Sequence, residues 1–234
     1  MIDQGLLDEC RQLAFAVAGE LKPFPLYVVA AEKTFDDLPE SRGCLAWAFT
    51  MTGIEHIPFR ERIDAWKGAG PIIALCEGAI RDAYGDDFDA GLREMTCHEI
   101  GHIVPEKPFV EIESLKDIDP EFVRSHQLTK LAVAATKTQY AQMHDHRFIR
   151  RVLHIWYRAI LFGWSIPIYR LFGGDTETYC QPPHFLVALM PELVAMKSAT
   201  FAEIEAAKPP LAFSELWEHS HGLHGTVTAK KETP

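Results

Sequence analysis

The sequence predicts an α+β fold in which a short mixed sheet packs on one helix and the C-terminal half is mainly helical. Three short runs rich in β-branched or aromatic residues, at 26–30, 44–50 and 72–76, are bounded by Pro, Gly or charged residues and indicate strands. From residue 88 onward, several stretches have apolar residues at three- and four-residue spacing, which indicates helices, and residues 104–119 lose that spacing and indicate a loop. Because the chain shows no internal repeat and no linker between domains, we expect one domain over residues 1–234.

Helical spacing and punctuating residues place the individual helices. An amphipathic helix is predicted at 4–20, where Pro23 and Pro25 end the pattern, and a second at 88–103, before Pro105. The predicted C-terminal elements are a helix from Asp119-Pro120-Glu121 toward Lys137, one from Asp145 through Ala159 with Asp145 as its N-cap, helices at 185–196 and 201–207, and a flexible tail at 219–234.

The amino-acid composition predicts a buried core and disfavours a nucleic-acid partner. The 234 residues are 47% hydrophobic, enough to bury a core without disulfide bonds. Lys and Arg number 23 against 33 Asp and Glu, and the net charge of −10 repels phosphate backbones. A nucleic-acid partner is therefore not expected, although one local cluster of arginines could form a basic strip: Arg147, Arg150, Arg151 and Arg158.

Cysteine usage and the N-terminus predict a cytoplasmic location. The five cysteines are odd in number and contain no C-x-x-C pair, which is typical of reduced thiols. Residues 1–10 carry acids where a signal peptide would carry Lys or Arg, and no apolar run reaches the roughly 18 residues that a spanning helix needs. We expect no membrane association.

The most informative motif is H-E-x-x-H at residues 98–102, inside the helix predicted at 88–103. His98 and His102 are four residues apart, so both imidazoles project from one helix face and can bind one zinc ion. Glu99 lies beside that face, where its carboxylate can hold and deprotonate a water as general base. Gly101, between the histidines, permits a close backbone approach at the cost of helix propensity.

A catalytic zinc site needs a third protein ligand. The metzincin spacing would require Gly at position 105 and His at 108, where this chain has Pro105 and Pro108, so that class is excluded. A thermolysin-like arrangement would use Glu121, which otherwise serves as a first-turn acid that stabilises its helix dipole.

The stretch at 143–148, Met-His-Asp-His-Arg-Phe, resembles the H-G-x-x-F/W element of SprT-like zincins. The resemblance implies His144 as the third ligand, Phe148 as the aromatic that packs its helix on the H-E-x-x-H helix, and a zincin-like fold. It covers two short motifs and the order strand, helix, loop, helix. The chain departs from the pattern in having Asp145 for Gly and a spacing of 42 residues (144 − 102) between ligands.

Other residues compete for these roles. His126 and His146 are rival ligands, and His154, almost three turns into its helix, is expected to be a core histidine. Asp145 could orient a ligand imidazole besides capping its helix. Cys97 is expected to be a buried thiol that points away from the metal. Three residues are alternative donors to a developing oxyanion: Tyr140, His154 and Tyr157.

These features predict a zinc-dependent metallopeptidase that hydrolyses peptide bonds with Glu99 as general base and His98, His102 and His144 as zinc ligands. In zincins the strand before the motif helix pairs with substrate, which here points to residues 70–76. Two alternatives remain: a zinc-bearing accessory protein without turnover, and a SprT-like protease of DNA-bound proteins. The net charge and the lack of zinc-ribbon Cys pairs disfavour the latter.

Overall fold

A computed structural model describes seven segments of the chain: residues 2–22, 25–31, 45–49, 71–104, 144–168, 170–172 and 181–229. The predictions made for Glu121, His126, Tyr140 and the helix from 121 toward 137 fall outside these segments. Within them the chain is a mainly helical α+β protein with one small sheet, as predicted.

The described helices are α1 (Gln4–Val17), α2 (Glu77–Tyr84), α3 (Phe88–Ile103), α4 (His146–Leu161), α5 (Pro182–Ala195), α6 (Phe201–Ala206) and α7 (Leu211–Ala229). The described strands are β1 (Tyr27–Ala30), β2 (Ala46–Phe49) and β3 (Ile72–Leu75). None of these helices is both long enough and apolar enough to cross a membrane.

The sheet has the order β1-β3-β2, with β3 parallel to β1 and antiparallel to β2. Ile73 and Leu75 of β3 belong to the main core, whereas Ile72 and Ala74 belong to a smaller cluster on the other face, as strand alternation requires. The expectation that the strand at 70–76 pairs with substrate was wrong. The backbone of β3 is hydrogen-bonded to β1 on one side and to β2 on the other, so its N–H and C=O groups are not free to pair with a substrate strand.

Helix α3 lies at the centre of the protein. It packs on β2 and β3 of the sheet, and it also contacts α1 and α4. The helix carries few side chains that reach solvent: from Glu94 to Gly101 every residue is buried. A helix buried on several sides holds its side chains rigidly, which suits a site that needs fixed geometry.

Helix α4 begins where its sequence predicts. The Asp145 carboxylate accepts hydrogen bonds from the backbone N–H groups of Arg147 and Phe148, at 3.0 and 2.9 Å, which satisfies two of the donors at the helix start. Apolar residues three and four apart then bury one face against α3. The N-cap prediction for Asp145 is confirmed, and it fixes where the chain enters α4.

Two helices differ from the sequence-based expectation. Helix α2 was not predicted, because it is short and polar and buries only Ile80 completely, so its apolar periodicity is weak. Helix α7 was not predicted either, and its backbone continues to Ala229, into the range expected to be a flexible tail. Helix α1 ends at Val17, three residues before the predicted end.

Candidate metal centre

The H-E-x-x-H motif lies in the last two turns of α3. The four-residue spacing brings the imidazoles of His98 and His102 together, with 3.3 Å between their Nε2 atoms. His98 is buried, whereas His102 is partly buried. The two rings therefore meet at the edge of the core, within reach of α4.

The third imidazole comes from the entry to α4. His144 precedes the N-cap Asp145, and its Nε2 atom lies 3.2 Å from Nε2 of His102. The ring centroid of His144 lies 5.0 Å from those of both His98 and His102. The structure thus brings together the three predicted ligands, which we call the histidine cluster.

The spacing of the histidine cluster fits a metal ion. One nitrogen from each ring lies within 4.8 Å of the other two, and the group is the type of set that could hold a metal. A tetrahedral site with zinc–nitrogen distances of about 2.0–2.1 Å separates its ligand atoms by about 3.3–3.4 Å. The two Nε2 separations of 3.3 and 3.2 Å match that value.

The tautomer of His98 is fixed by a backbone group. Nδ1 of His98 lies 2.9 Å from the carbonyl oxygen of Leu171, which can only accept, so Nδ1 carries the proton and donates it. In the neutral ring this leaves the lone pair on Nε2, the atom that faces His102. A hydrogen bond from the second ring nitrogen to a carbonyl is the usual support of a metal-binding histidine.

The cluster is held in its neutral form. Burial lowers the pKa of His98 to about 4, against a weaker opposing effect of the Leu171 carbonyl. Burial, with the neighbouring His98, lowers the pKa of His144 to about 3. The pKa of His102 is also well below its usual value, because of burial, the two other rings and the Arg151 guanidinium. Neutral imidazole is the form that binds a metal ion.

Phe148 forms an apolar floor beneath the three rings. Its centroid lies 4.9, 4.4 and 4.5 Å from those of His98, His102 and His144, and it is stacked on His102 with an interplanar angle of 26°. The side chain is completely buried. Such a floor excludes water from one side of the cluster and restricts the rings, which is the packing role expected for Phe148.

Gly101 sets the distance between α3 and α4. A Cβ atom at this position would lie 2.4 Å from Cγ1 of Val152 and 3.0 Å from Cε2 of Phe148. Both contacts are closer than side chains normally allow, so any larger residue would push the two helices apart. Gly101 does allow a close approach, as predicted, but the atoms that approach it are side-chain atoms of α4. This packing keeps His144 within reach of His102.

Arg151 ties α4 to the end of α3. Its Nε donates to the Gly101 carbonyl at 3.0 Å, and its Nη1 pairs with Glu205 at 2.6 Å. The carbonyl belongs to the last turn of α3, where backbone acceptors lack partners within the helix. A cation there also interacts favourably with the helix dipole. This role of Arg151 has no signature in the sequence and was missed.

Glu99 lies beside the histidine cluster. Its Oε1 atom is 4.0 Å from Nε2 of His98, and the side chain is only 4% exposed. This places a carboxylate oxygen near the nitrogen of His98 that faces the cluster. The position suits a group that holds a proton beside a bound metal rather than a metal ligand.

The described rival residues lie elsewhere. The ring of His146 lies against Trp217, with 5.9 Å between centroids, and is not part of the histidine cluster. His154 is completely buried and donates from Nε2 to Glu192 at 2.8 Å, so it is a core histidine, as expected, and not a candidate oxyanion donor. Cys97 is a buried thiol whose pKa is raised well above its usual value by burial.

The arginine cluster of α4 does not form the basic strip considered from the sequence. Arg150, Arg151 and Arg158 are buried, and their guanidinium groups bind protein acceptors. These acceptors are Glu192 and the Ala207 carbonyl for Arg150, Glu205 and the Gly101 carbonyl for Arg151, and the Val17 and Ala199 carbonyls for Arg158. The three side chains hold the helices together, and Arg147 alone of the four is exposed.

Comparison of the chain with protein-family models, with curated proteins and with solved structures finds no match. The assignment of chemistry to the histidine cluster therefore rests on its own geometry. That geometry comprises three neutral imidazoles, an apolar floor, a backbone carbonyl that fixes one tautomer, and an adjacent carboxylate.

Proposed function

We propose that the protein is a zinc-dependent metallopeptidase with a zincin-like fold. The observation that carries the proposal is the convergence of three neutral imidazole nitrogens, from His98, His102 and His144, with the Glu99 carboxylate alongside. Three nitrogen ligands and an open fourth position are typical of catalytic zinc, whereas structural zinc sites are closed by four ligands.

The donor set favours zinc over the hard cations. Magnesium and calcium prefer carboxylate and carbonyl oxygens, whereas imidazole suits zinc, copper, nickel and iron. Zinc has no redox chemistry and prefers the tetrahedral geometry that the Nε2 separations fit. When bound, zinc supplies a Lewis acid that polarises a carbonyl and lowers the pKa of a water.

Each residue of the site has a distinct task in peptide hydrolysis. His98, held by the Leu171 carbonyl, presents Nε2 in a fixed direction, and Phe148 excludes water beneath the rings. Glu99 accepts the proton of the attacking water at a carboxylate oxygen and passes it to the leaving amine nitrogen.

Glu99→Gln tests this function, since the amide keeps the shape of the side chain and loses its basicity. Asp89→Asn, at an exposed acid in the first turn of the same helix, is the matched control. We expect the wild type and both variants to retain about one zinc per chain by mass spectrometry. Digestion of a peptide library should be abolished in Glu99→Gln alone.

Two outcomes would contradict the proposal in different ways. A wild-type protein that retains zinc but cleaves no peptide would be a zinc-bearing protein without turnover. A wild-type protein that does not bind zinc would remove the metal centre itself. Equal cleavage by Glu99→Gln and the wild type would exclude Glu99 as the base.

A further inference from the structure

Glu94 is a completely buried acid one turn before the first histidine of the motif. It lies four residues before His98, on the same face of α3. Burial raises the pKa of its carboxyl group, although the hydroxyl of Tyr84 and the backbone of residues 170 and 171 oppose the effect. A buried carboxyl group is costly, so its retention at the centre of a packed helix calls for a specific partner.

The partners of Glu94 are a neighbouring helix and a chain segment. Oε2 accepts a hydrogen bond from the Tyr84 hydroxyl at 2.7 Å, and Oε1 accepts one from the backbone N–H of Arg170, also at 2.7 Å. Both carboxylate oxygens are thus engaged, one by α2 and one by residues 170–172. Leu171 and Phe172 of that segment are completely buried.

The same segment supplies the group that orients His98. The Arg170 N–H binds Glu94, and the next residue, Leu171, offers its carbonyl to Nδ1 of His98 at 2.9 Å. One end of the segment is therefore held by an acid on α3, and the adjacent carbonyl holds a histidine one turn further along α3. Two hydrogen bonds on one helix face fix both the position and the direction of this short stretch of backbone.

We propose that Glu94 is a positioning residue of the metal centre, which anchors residues 170–172 so that the Leu171 carbonyl fixes the tautomer and orientation of His98. The proposal rests on the proposed metal binding, but not on peptidase activity. Glu94 acts through the segment and does not touch the metal. Loss of the anchor frees the carbonyl, and His98 then loses the hydrogen bond that presents Nε2 to the cluster.

The test measures metal binding and not activity. Zinc affinity is titrated against a competing chelator in the full-length wild type, Glu94→Gln and Glu94→Asp, and each protein is also saturated with Co²⁺ for visible spectroscopy. Gln can offer only one oxygen, and Asp keeps the charge but is too short to hold both partners. We expect zinc affinity to fall roughly 10- to 100-fold in both variants, as for loss of an outer-shell partner, and the Co²⁺ absorption bands to shift.

Thr96→Val is the matched control for a general loss of stability. Thr96 is also buried in α3, and its hydroxyl donates to the Leu92 carbonyl of the same helix at 2.7 Å. Its zinc affinity and Co²⁺ spectrum should equal those of the wild type. Unchanged affinity and spectrum in a folded Glu94→Asp would overturn the inference, as would equal changes in Thr96→Val. A wild-type protein that binds neither metal would instead refute the proposed function.

Discussion

Helix α4 and the residue before its N-cap contribute a histidine to each of two buried polar clusters, and the partners of the two histidines differ. At the start, His144 faces His98 and His102, nitrogen to nitrogen. Almost three turns later, His154 faces a carboxylate: its Nε2 lies 2.8 Å from Oε1 of Glu192. Arg150 binds the same carboxylate, and we call Arg150, His154 and Glu192 the ion-pair cluster.

The ion-pair cluster balances its charges internally. Nε and Nη2 of Arg150 donate to the two oxygens of Glu192 at 2.7 and 2.8 Å, a bidentate arrangement that is among the stronger hydrogen-bonded pairs. Burial alone would raise the pKa of Glu192, but hydrogen bonds from His154 and Arg150 hold it below its usual value. The Glu192 carboxylate thus binds both the Arg150 guanidinium and Nε2 of His154 between α4 and α5, whereas the buried Nδ1 of His154 has no hydrogen-bond partner among the residues that the structure describes.

The histidine cluster is built differently, from imidazoles that face one another. The Nε2 atoms of His98, His102 and His144 are separated by 3.3 and 3.2 Å along the series, and the Glu99 carboxylate is 4.0 Å from His98. Neutral imidazoles whose Nε2 atoms lie 3.2–3.3 Å apart can present their lone pairs to one shared cation. The comparison teaches that the partner of a buried histidine, and not its burial, separates a structural role from a metal-binding role.

The largest effect is expected when each of the two histidines is replaced by alanine and the zinc affinities of the two variants are compared. His144→Ala removes one of three proposed ligands, and we expect zinc affinity to fall by more than the roughly 100-fold that loss of an outer-shell partner costs. His154→Ala, on the same helix and also buried, is the control and should retain wild-type zinc affinity. Competitive chelator titration measures both.

Either of two results would contradict that expectation. Unchanged zinc affinity in His144→Ala would exclude His144 as a ligand. Glu121 and His126 would then be the residues to test as the third ligand. A large loss of zinc affinity in His154→Ala would show that the ion-pair cluster supports the metal centre. In that case the two clusters would not be separate.

The second prediction addresses stability. Glu192→Gln keeps the shape of the side chain but leaves the buried Arg150 without its counter-charge, so we expect unfolding to be easier by about 3–5 kcal/mol. Zinc affinity of the folded variant should be unchanged. Chemical denaturation measures the first quantity and chelator titration the second.

Glu215→Gln, at an exposed acid of α7, is the control and should change stability by less than about 0.5 kcal/mol. A Glu192→Gln protein as stable as this control would show that the ion-pair cluster contributes little. It would also weaken the contrast with the histidine cluster.

The features that could be predicted from the sequence are those set by residues close together along the chain. His98 and His102 share a helix face because they are four residues apart, and Asp145 caps α4 because a short acid precedes the helical run. His144 was predicted as the third ligand because residues 143–148 resemble a short motif of SprT-like zincins. Its approach to His102, 42 residues away, depends on the packing of α3 on α4.

Non-local features were missed. The position of β3 between two strands depends on pairing order, which a single strand's composition does not encode. The Leu171 carbonyl lies 73 residues from His98, and a backbone acceptor leaves no trace in residue type. Glu94 could have been noticed in the sequence, because it is an acid four residues before His98 in a stretch of α3 whose other residues are mostly apolar or small.

The smallest expected effect concerns the contact that keeps the two helices, and hence His144 and His102, close together. In Gly101→Ala the added methyl meets Val152 at 2.4 Å, and such overpacking costs about 1–3 kcal/mol, against a gain of roughly 1 kcal/mol in helix propensity. We expect a net loss of up to about 2 kcal/mol by chemical denaturation, with zinc affinity lower by roughly 10-fold because His144 moves away from His102. Gly19→Ala, where an added Cβ meets no atom within 4 Å, is the control and should leave zinc affinity unchanged.

A Gly101→Ala protein with wild-type stability and affinity would show that α3 and α4 can separate slightly without disturbing the histidine cluster. The cluster would then depend on the Asp145 cap and the Leu171 carbonyl, and not on close helix packing.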